Sequence, residues 1–182
     1  MHTDETPKDA ARRLAQAVVR GPFTAEGLHP YRDADGQPVY WRWRVRKPDG
    51  EKVIRSMHWN GVKYVPSEPP APPEGKPLYR LPELLAADPA ALVWIVEGER
   101  CAEELHKLGM IATTSGSCSS ASGADWTPLA GRHCVVWPDR DAPGRKYADD
   151  VTAKLRALGC TVEMIDVKPL GLPEKGDAVD WL

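Results

Sequence analysis

Two short apolar runs in this chain each lead into acidic residues. The run from Leu92 to Val96 is followed by Glu97, and the run from Cys134 to Trp137 is followed, after one proline, by Asp139 and Asp141. Short apolar runs of this kind are typical of buried strands. Because the carboxyl ends of parallel strands converge on one crevice of an α/β sheet, acids from different strands can meet there. The pattern predicts a single site that contains these three carboxylates.

Carboxylates at close range repel one another unless a cation lies between them. Mg²⁺ prefers oxygen ligands, and it is commonly held by one or two carboxylates together with substrate phosphates. We therefore expect Mg²⁺ at this site, with Mn²⁺ as a possible substitute, and phosphoryl or nucleotidyl transfer as its chemistry.

Strand and helix patterns alternate through the second half of the chain. The predicted strands are residues 92–96, 111–113, 134–137 and 161–167. The predicted helices are residues 81–85, 100–108 and 145–158, and glycines follow the last two. This alternation predicts βαβ units and an α/β fold with a parallel sheet flanked by helices.

The first part of the chain has a different pattern. A helical rhythm from Thr3 to Arg20 places Ala11, Leu14, Ala15 and Val18 on one face. Residues 39–65 then alternate between apolar and polar side chains, with turn sequences at 48–50 and at 60–61. This segment predicts three short antiparallel strands, that is, a small meander.

Arginines occupy the alternate positions of this meander. One face would expose Arg42, Arg44 and Arg46, with Arg55 beside them, and charges so arranged can follow a phosphate backbone. A solvated outer face explains the same pattern equally well. The tryptophans at positions 41, 43 and 59 could stack on bases, but the alternation with arginine favours packing in the core.

Nothing in the chain indicates a membrane protein. No apolar run approaches the roughly 20 residues that a membrane-spanning helix needs. The polar start of the sequence does not fit a signal peptide, so a cytoplasmic location is expected. The four cysteines form no CxxC pair and are interpreted as reduced, structural thiols.

Four segments of the chain carry a family resemblance, namely residues 96–102, 112–116, 137–145 and 176–182. The first contains Glu97-Gly98 after a strand, and the third contains Asp139-Arg140-Asp141 after a later strand. With these motifs the sequence resembles the Toprim domain shared by primases, topoisomerases and related nucleases, in the form found in phage and plasmid primases. The resemblance implies a Toprim-type (Rossmann-like) sheet and covers about half of the chain.

The resemblance implies a role for each matching residue. Glu97 would act as general acid or base, or as a further metal ligand, and Asp139 and Asp141 would bind the metal. The final segment implies that Asp177, or otherwise Asp180, completes the acidic cluster. Another acid, Glu99, belongs to the primase-like form of the first motif and could assist, although a helix N-terminus also favours acids.

Two further features near the acids point to phosphate. Arg145 and Lys146 begin a predicted helix, where free backbone N–H groups could help them to bind a phosphate. A salt bridge to the acidic cluster is the alternative. Residues 113–117 form a small polar turn that would suit an approaching phosphate or nucleotide, but that is also compatible with an ordinary loop.

These patterns divide the chain into three parts. Residues 1–66 form a basic helix and meander, 67–77 a proline-rich linker, and 78–182 the Toprim domain. Residues 1–66 carry 12 Lys and Arg against 8 Asp and Glu, a net charge of +4, whereas residues 67–182 carry 12 against 18, a net charge of −6. A basic front part therefore precedes an acidic, metal-seeking part.

The function implied is that of a primase-like enzyme of a phage or other mobile element. It would catalyse Mg²⁺-dependent nucleotidyl transfer, with single-stranded DNA and nucleotides as partners. One alternative is a Toprim nuclease. Another is a non-catalytic Toprim-fold protein that binds a host replication or defence complex, as an inhibitor or nucleic-acid mimic. A helicase or a host protein complex is a further possible partner. The sequence leaves these alternatives open.

Overall fold

The computed structural model describes residues 5–182, and these form two compact units that meet between Ala71 and Pro72. The boundary falls inside the proline-rich segment. Contacts anchor both ends of that segment: Ser56 donates a hydrogen bond of 2.7 Å to Glu68, and Lys76 forms a β-bridge with Ala124. The limits assigned to the domains from the sequence stay predictions.

The first unit is one helix with an antiparallel sheet. Helix α1 spans Pro7–Val18, and Thr6 caps its N-terminus by accepting a hydrogen bond from the Asp9 backbone. The strands are β1 (Thr24–Arg32), β2 (Pro38–Arg46), β3 (Lys52–Trp59) and β4 (Tyr64–Val65), and they pair in that order. The start of the predicted helix, Thr3 and Asp4, lies outside the described residues.

The meander prediction accounts for β2, β3 and β4 but omits β1. That strand contains Gly27 and Pro30, which weaken a strand pattern, and its pairing with β2 is interrupted by register shifts near both residues. An edge strand tolerates such residues because it pairs on one side only. Pairing with β2, rather than the strand propensity of its own residues, therefore makes this segment a strand.

The core of the first unit lies between α1 and the sheet. Trp41, Trp43 and Val45 of β2 are buried there with Leu14 of α1, so the interpretation of Trp41 and Trp43 as core residues is confirmed. Val18 was expected on the same helical face, and this is wrong: it is 48% exposed. The helix ends at Val18, and the chain then leaves the helical path.

The second unit contains the predicted parallel sheet. Its strands are β5 (Val93–Ile95), β6 (Ile111–Thr113), β7 (His133–Val136) and β8 (Thr161–Met164), all parallel and ordered β6-β5-β7-β8. Its helices are α2 (Leu81–Ala86), α3 (Glu99–Lys107), α4 (Ala142–Ala157) and α5 (Ala178–Trp181). The predicted α/β class and every predicted strand of this unit are confirmed.

Glycine shapes the ends of the two longer helices of this unit. Gly109 and Gly159 follow α3 and α4 with φ angles of +82° and +75°, a conformation that favours glycine at a helix C-terminus. The buried Arg132 closes α2 in another way, because its guanidinium donates to the carbonyls of Leu84 and Asp88 at 2.9 and 2.6 Å.

Within residues 5–182, no helix has the length and apolarity to cross a membrane.

Candidate metal and nucleotide site

The two acidic motifs lie at the same edge of the parallel sheet. Strands β5 and β7 are neighbours, with Ile95 paired with Val136, so Glu97 and Asp139 leave the sheet at adjacent positions. Trp137 continues the pairing by donating its N–H to the Ile95 carbonyl at 2.9 Å. The short apolar strands therefore bring together residues that are about forty positions apart in the sequence.

Asp139 has the most strongly perturbed pKa of this group. Burial and, after it, the neighbouring charges of Glu97, Asp177, Asp141 and Asp180 together raise its pKa from 3.8 to about 8. Each of these neighbours must therefore lie within effective electrostatic range of Asp139. The structure thus joins acids from three separate parts of the chain into one cluster.

Glu97 shares the field of this cluster. Burial, followed by the charge of Asp141, raises its pKa to about 6, while a hydrogen bond from the Cys118 backbone opposes the shift and the charge of Asp177 adds to it. Its Oε2 atom is buried and has no hydrogen-bond partner among the described residues. A buried carboxylate oxygen without a partner is costly, and it is a suitable ligand for a cation.

Asp141 caps helix α4 as well as joining the acidic cluster. Its Oδ1 accepts a hydrogen bond of 2.7 Å from the backbone of Gly144. Aspartate before a helix that begins Ala-Pro is a common N-terminal signature, so this second role could have been inferred from the sequence. The remaining oxygen of Asp141 is the one that would face a cation.

Asp177 has a comparable double role at the start of α5. It accepts hydrogen bonds from the backbone of Val179 and Asp180, and the Asp180 carboxylate accepts one from Asp177, which completes a capping box. Both aspartates contribute charge to the cluster. Asp177 adds to the raised pKa of both Glu97 and Asp139, whereas Asp180 adds only to that of Asp139, and completion of a metal site by Asp177 stays a prediction.

Two backbone hydrogen bonds hold the C-terminal segment beside the aspartates that follow β7. The Arg140 N–H donates to the Gly176 carbonyl at 2.8 Å, and the Lys175 N–H donates to the Arg140 carbonyl at 3.1 Å. The Arg140 guanidinium adds a hydrogen bond to the Leu172 carbonyl. These bonds place Asp177 directly beside the Asp139–Asp141 turn.

The donor set of the cluster fits a hard divalent cation, although the carboxylates do not yet converge on one point. Within residues 5–182, no group of three or more His, Cys, Asp or Glu side chains is arranged to hold a metal ion directly. The unpartnered Glu97 Oε2 and the mutual repulsion expressed in the Asp139 pKa are the features that a cation would relieve. Mg²⁺ needs only one or two of these carboxylates, with water and phosphate as its other ligands.

Arg145 and Lys146 lie on the exposed side of α4. Arg145 pairs with Asp149 at 3.3 Å and Lys146 with Asp150 at 2.5 Å, one helical turn away in each case. Their side chains are 65% and 76% exposed, so these are weak surface pairs that a phosphate could displace. Arg145 also lines an open groove of about 580 Å³ beside Asp139 and Asp141. Phosphate binding by the two residues stays a prediction.

The arginines of the first unit do not share one face. Arg42, Arg44 and Arg46 alternate with the buried tryptophans of β2, and Arg44 and Arg46 both pair with Glu26, the former at 2.8 Å. Arg55 lies opposite Trp43 in the register, so it belongs to the other face of the sheet. The expectation that Arg55 lies beside the other three is therefore wrong, because one step along a strand reverses the face. A nucleic-acid role for the four arginines stays a prediction.

Two elements near Glu97 are more buried or more ordered than their sequence indicated. Glu99 is the first residue of α3 and is 5% exposed, so it lies inside the unit and not on a solvated helix end. The polar loop after β6 is held by internal hydrogen bonds, and Thr114 Oγ1 donates to the Glu97 carbonyl at 2.8 Å. The cluster of serines and threonines in the sequence was the only signal of this ordered loop.

Comparison with solved structures identifies the fold. The chain is similar to a structure of the DnaG catalytic core, with a TM-score of 0.53, 19% identity, and coverage of 83% of this chain and 46% of that one. A structure of the DnaG primase catalytic domain bound to ssDNA gives a TM-score of 0.48 and 17% identity, with the same coverage.

The fold of the chain is therefore that of the Toprim-containing core of DnaG-type primases. The Toprim-type architecture expected from the motifs is confirmed. The chain spans less than half the length of the two solved chains. A scan against family models found no match, and neither did a search of curated proteins.

The close packing of Gly144 against Asp139 gives a first test of the site. A Cβ at Gly144 would lie 2.7 Å from the Asp139 carbonyl oxygen and 3.0 Å from its Cβ. We expect Gly144→Ala to displace Asp139, lowering the free energy of unfolding by about 1–3 kcal/mol and weakening Mn²⁺ binding. Urea unfolding and calorimetric Mn²⁺ titration measure the two effects. In the matched control, Gly123→Ala, the new Cβ meets no atom within 4 Å. Equal effects of the two substitutions would contradict this account.

The raised pKa of Asp139 predicts how stability depends on pH in the absence of divalent cations. Between the ordinary pKa of 3.8 and the folded value of about 8, the folded protein holds a proton that the unfolded chain has lost. Stability is therefore expected to fall as the pH rises through this range. Urea unfolding in EDTA at several pH values measures the slope, and Asp139→Asn should flatten it. The exposed control Asp166→Asn should keep the wild-type slope, and identical slopes in all three proteins would refute the prediction.

Proposed function

We propose that the protein catalyses metal-dependent nucleotidyl transfer on a single-stranded DNA template, as a primase-like Toprim protein. The observation that supports this most is the clustering of Glu97 and Asp139, with Asp141 and Asp177 nearby, at the carboxyl edge of a Toprim-type sheet. Burial, with the charge of the neighbouring carboxylates, raises the pKa values of Glu97 and Asp139, and a bound Mg²⁺ or Mn²⁺ would stabilise their ionised forms. Such an ion polarises a phosphoryl oxygen and stabilises the charge that develops on it.

The residues of the chain have separable roles in this proposal. Asp139 and Asp141 bind the cation, and Asp177 completes the acidic cluster. Glu97, with a pKa of about 6, is suited to exchange a proton near neutral pH, or it serves as a further ligand. Arg145 and Lys146 hold the phosphates of the nucleotide from the first turns of α4. They would exchange their surface partners for the more highly charged phosphate.

The loss of both metal and activity tests this proposal. We expect Asp139→Asn to abolish Mg²⁺ and Mn²⁺ binding and to lower nucleotide incorporation on single-stranded DNA by at least about 100-fold, because the ion has lost its most central ligand. Calorimetry measures binding, and a labelled nucleotide measures incorporation. The control is Glu104→Gln on α3, a partly exposed carboxylate that pairs with Lys107 at 2.8 Å, and it should behave as wild type.

Each outcome of this experiment separates the proposed enzyme from its alternatives. Metal-dependent shortening of a labelled DNA, without synthesis, would contradict nucleotidyl transfer and indicate a Toprim nuclease. If the wild-type protein binds neither ion, the enzymatic proposal fails. A protein that uses this fold to bind a replication or defence complex would then remain, and co-purification with that complex would detect it.

A different residue set tests the binding of single-stranded DNA. Arg55 is exposed, and its guanidinium donates to the Ile54 carbonyl at 2.8 Å without a carboxylate partner in the described part of the chain. Arg44, by contrast, pairs with Glu26. We expect Arg55→Ala to weaken binding and to reduce the salt slope, d log K/d log [salt], by about one. Arg44→Ala should cost less, because a phosphate must first displace Glu26.

Fluorescence anisotropy of a labelled oligonucleotide at several salt concentrations measures both variants. Lys107→Ala, which removes a cation of the second unit that pairs with Glu104, controls for the change in net charge. If Arg44→Ala reduces the slope more than Arg55→Ala does, the phosphate backbone follows the β2 arginines instead. If neither variant changes the slope, this sheet does not bind DNA.

A further inference from the structure

A chain of hydroxyl groups runs through the loop that follows β6. Tyr147 of α4 is 1% exposed, and its hydroxyl oxygen lies 2.9 Å from Ser115 Oγ. Ser115 Oγ lies 2.8 Å from Ser120 Oγ, which in turn donates to the Ser117 carbonyl at 2.7 Å. Three consecutive short contacts therefore link a buried helix residue to the backbone of an outer loop.

The number of available hydrogens gives this chain a direction. Each hydroxyl has a single hydrogen to donate. Because Ser120 donates its hydrogen to Ser117, Ser115 must supply the hydrogen between itself and Ser120. Tyr147 must then supply the hydrogen between itself and Ser115. The Tyr147 hydroxyl also accepts from the Ser115 N–H at 3.4 Å. The Val96 carbonyl, 3.4 Å from the same hydroxyl, is a more distant alternative acceptor for its one hydrogen, and it lies beside Glu97 in the sequence.

The last bond of the chain orients one peptide group. The Ser117 carbonyl and the Cys118 N–H belong to the same planar peptide unit, and in a trans peptide they point in opposite directions. Ser120 Oγ also accepts the Ser117 N–H at 2.9 Å, so it contacts Ser117 twice. The Cys118 N–H, on the far side of that peptide, lies close enough to the Glu97 carboxylate to oppose the rise in its pKa. Whatever fixes the plane of this peptide therefore fixes the donor to Glu97. The same loop contacts Glu97 directly, because Thr114 Oγ1 donates to the Glu97 carbonyl at 2.8 Å.

We infer that Tyr147, Ser115 and Ser120 are positioning residues for Glu97, acting through the Ser117–Cys118 peptide. The chain fixes the peptide whose Cys118 N–H acts on the Glu97 carboxylate, and Glu97 Oε2 has no hydrogen-bond partner among the described residues. It also joins Glu97 to α4, the helix capped by Asp141, so the two acidic motifs cannot move independently. The importance of this positioning for catalysis rests on the proposed function, whereas the structural coupling of Glu97 to α4 does not.

Two substitutions interrupt the chain at opposite ends. Tyr147→Phe keeps the buried ring and removes the first donor, whereas Ser120→Ala removes the contacts to Ser117. In the full-length protein, we expect each to raise the Kd for Mn²⁺ about fivefold, the equivalent of one net hydrogen bond, and to speed amide hydrogen exchange at Cys118. Because the residues act in series, the double variant should lose less than the sum of the two single losses.

Two other residues serve as matched controls. Thr152 is a buried residue of the same helix, and its Oγ1 has no hydrogen-bond partner among residues 5–182. Ser119 is an exposed neighbour in the same loop, and its hydroxyl contacts Ser117 Oγ only at 3.4 Å. Thr152→Val and Ser119→Ala should leave both the Kd and the Cys118 exchange at wild-type values.

The exchange measurement separates failure of the inference from failure of the proposed function. Unchanged Cys118 exchange in Tyr147→Phe and Ser120→Ala would overturn the inference, and so would an equal change in Thr152→Val. A lower Tm with unchanged Cys118 exchange would reduce Tyr147 to an ordinary core residue and also overturn it. If wild-type protein binds no Mn²⁺, the proposed function fails, and the Cys118 exchange still decides whether the chain of hydroxyls positions this peptide.

Discussion

The burial and mutual repulsion of carboxylates are the constraint on which the second unit depends. Burial contributes most to the raised pKa values of Asp139 and Glu97, and the charges of neighbouring carboxylates add to both shifts, so the fold in this region opposes its own electrostatics. Hydrophobic burial of β5 and β7 must outweigh that cost, since these strands hold the acids at adjacent positions. Several hydrogen bonds around the cluster reduce the cost of this repulsion. The capping bonds of Asp141 and Asp177 each direct one carboxylate oxygen to backbone N–H groups that have no partner within their helices.

Helix termini reduce the repulsion in a second way. Asp141 caps the sixteen-residue helix α4, whose aligned peptide dipoles place partial positive charge at that end. An acid in this position is stabilised before any cation is bound. The capping bond leaves one oxygen of Asp141 available, so the residue can serve the helix and an ion together. A cation would therefore add to the partial positive charge by which the helix N-terminus already stabilises Asp141. Its binding should stabilise the first turn of α4.

The sequence predicted what depends on local patterns and missed what depends on contacts between distant residues. Short apolar runs and helix-ending glycines were sufficient to place the four parallel strands and helices α2 to α4, but the four-residue helix α5 was not predicted. Strand β1 was missed because Gly27 and Pro30 obscure its pattern, and only pairing with β2 makes it a strand. Arg55 was placed on the wrong face because facing depends on register, which the residues of β3 do not specify alone. The approach of Asp177 to the cluster came only from the family resemblance, since a backbone ladder at Arg140 produces it.

The arginine pattern of the first unit shows why charge in a sequence is weaker evidence than charge in a structure. Arg44 and Arg46 were counted as a basic face, but β1 carries Glu26 to both of them, and β1 is the strand that the sequence hid. An error in topology thus became an error in electrostatics. Part of the positive charge expected on that face is compensated, whereas Arg55 on the opposite face keeps its own. If this unit binds a polyanion, we expect the exposed Arg55 to contribute more than Arg44 and Arg46, because these two first join β2 to β1 through Glu26.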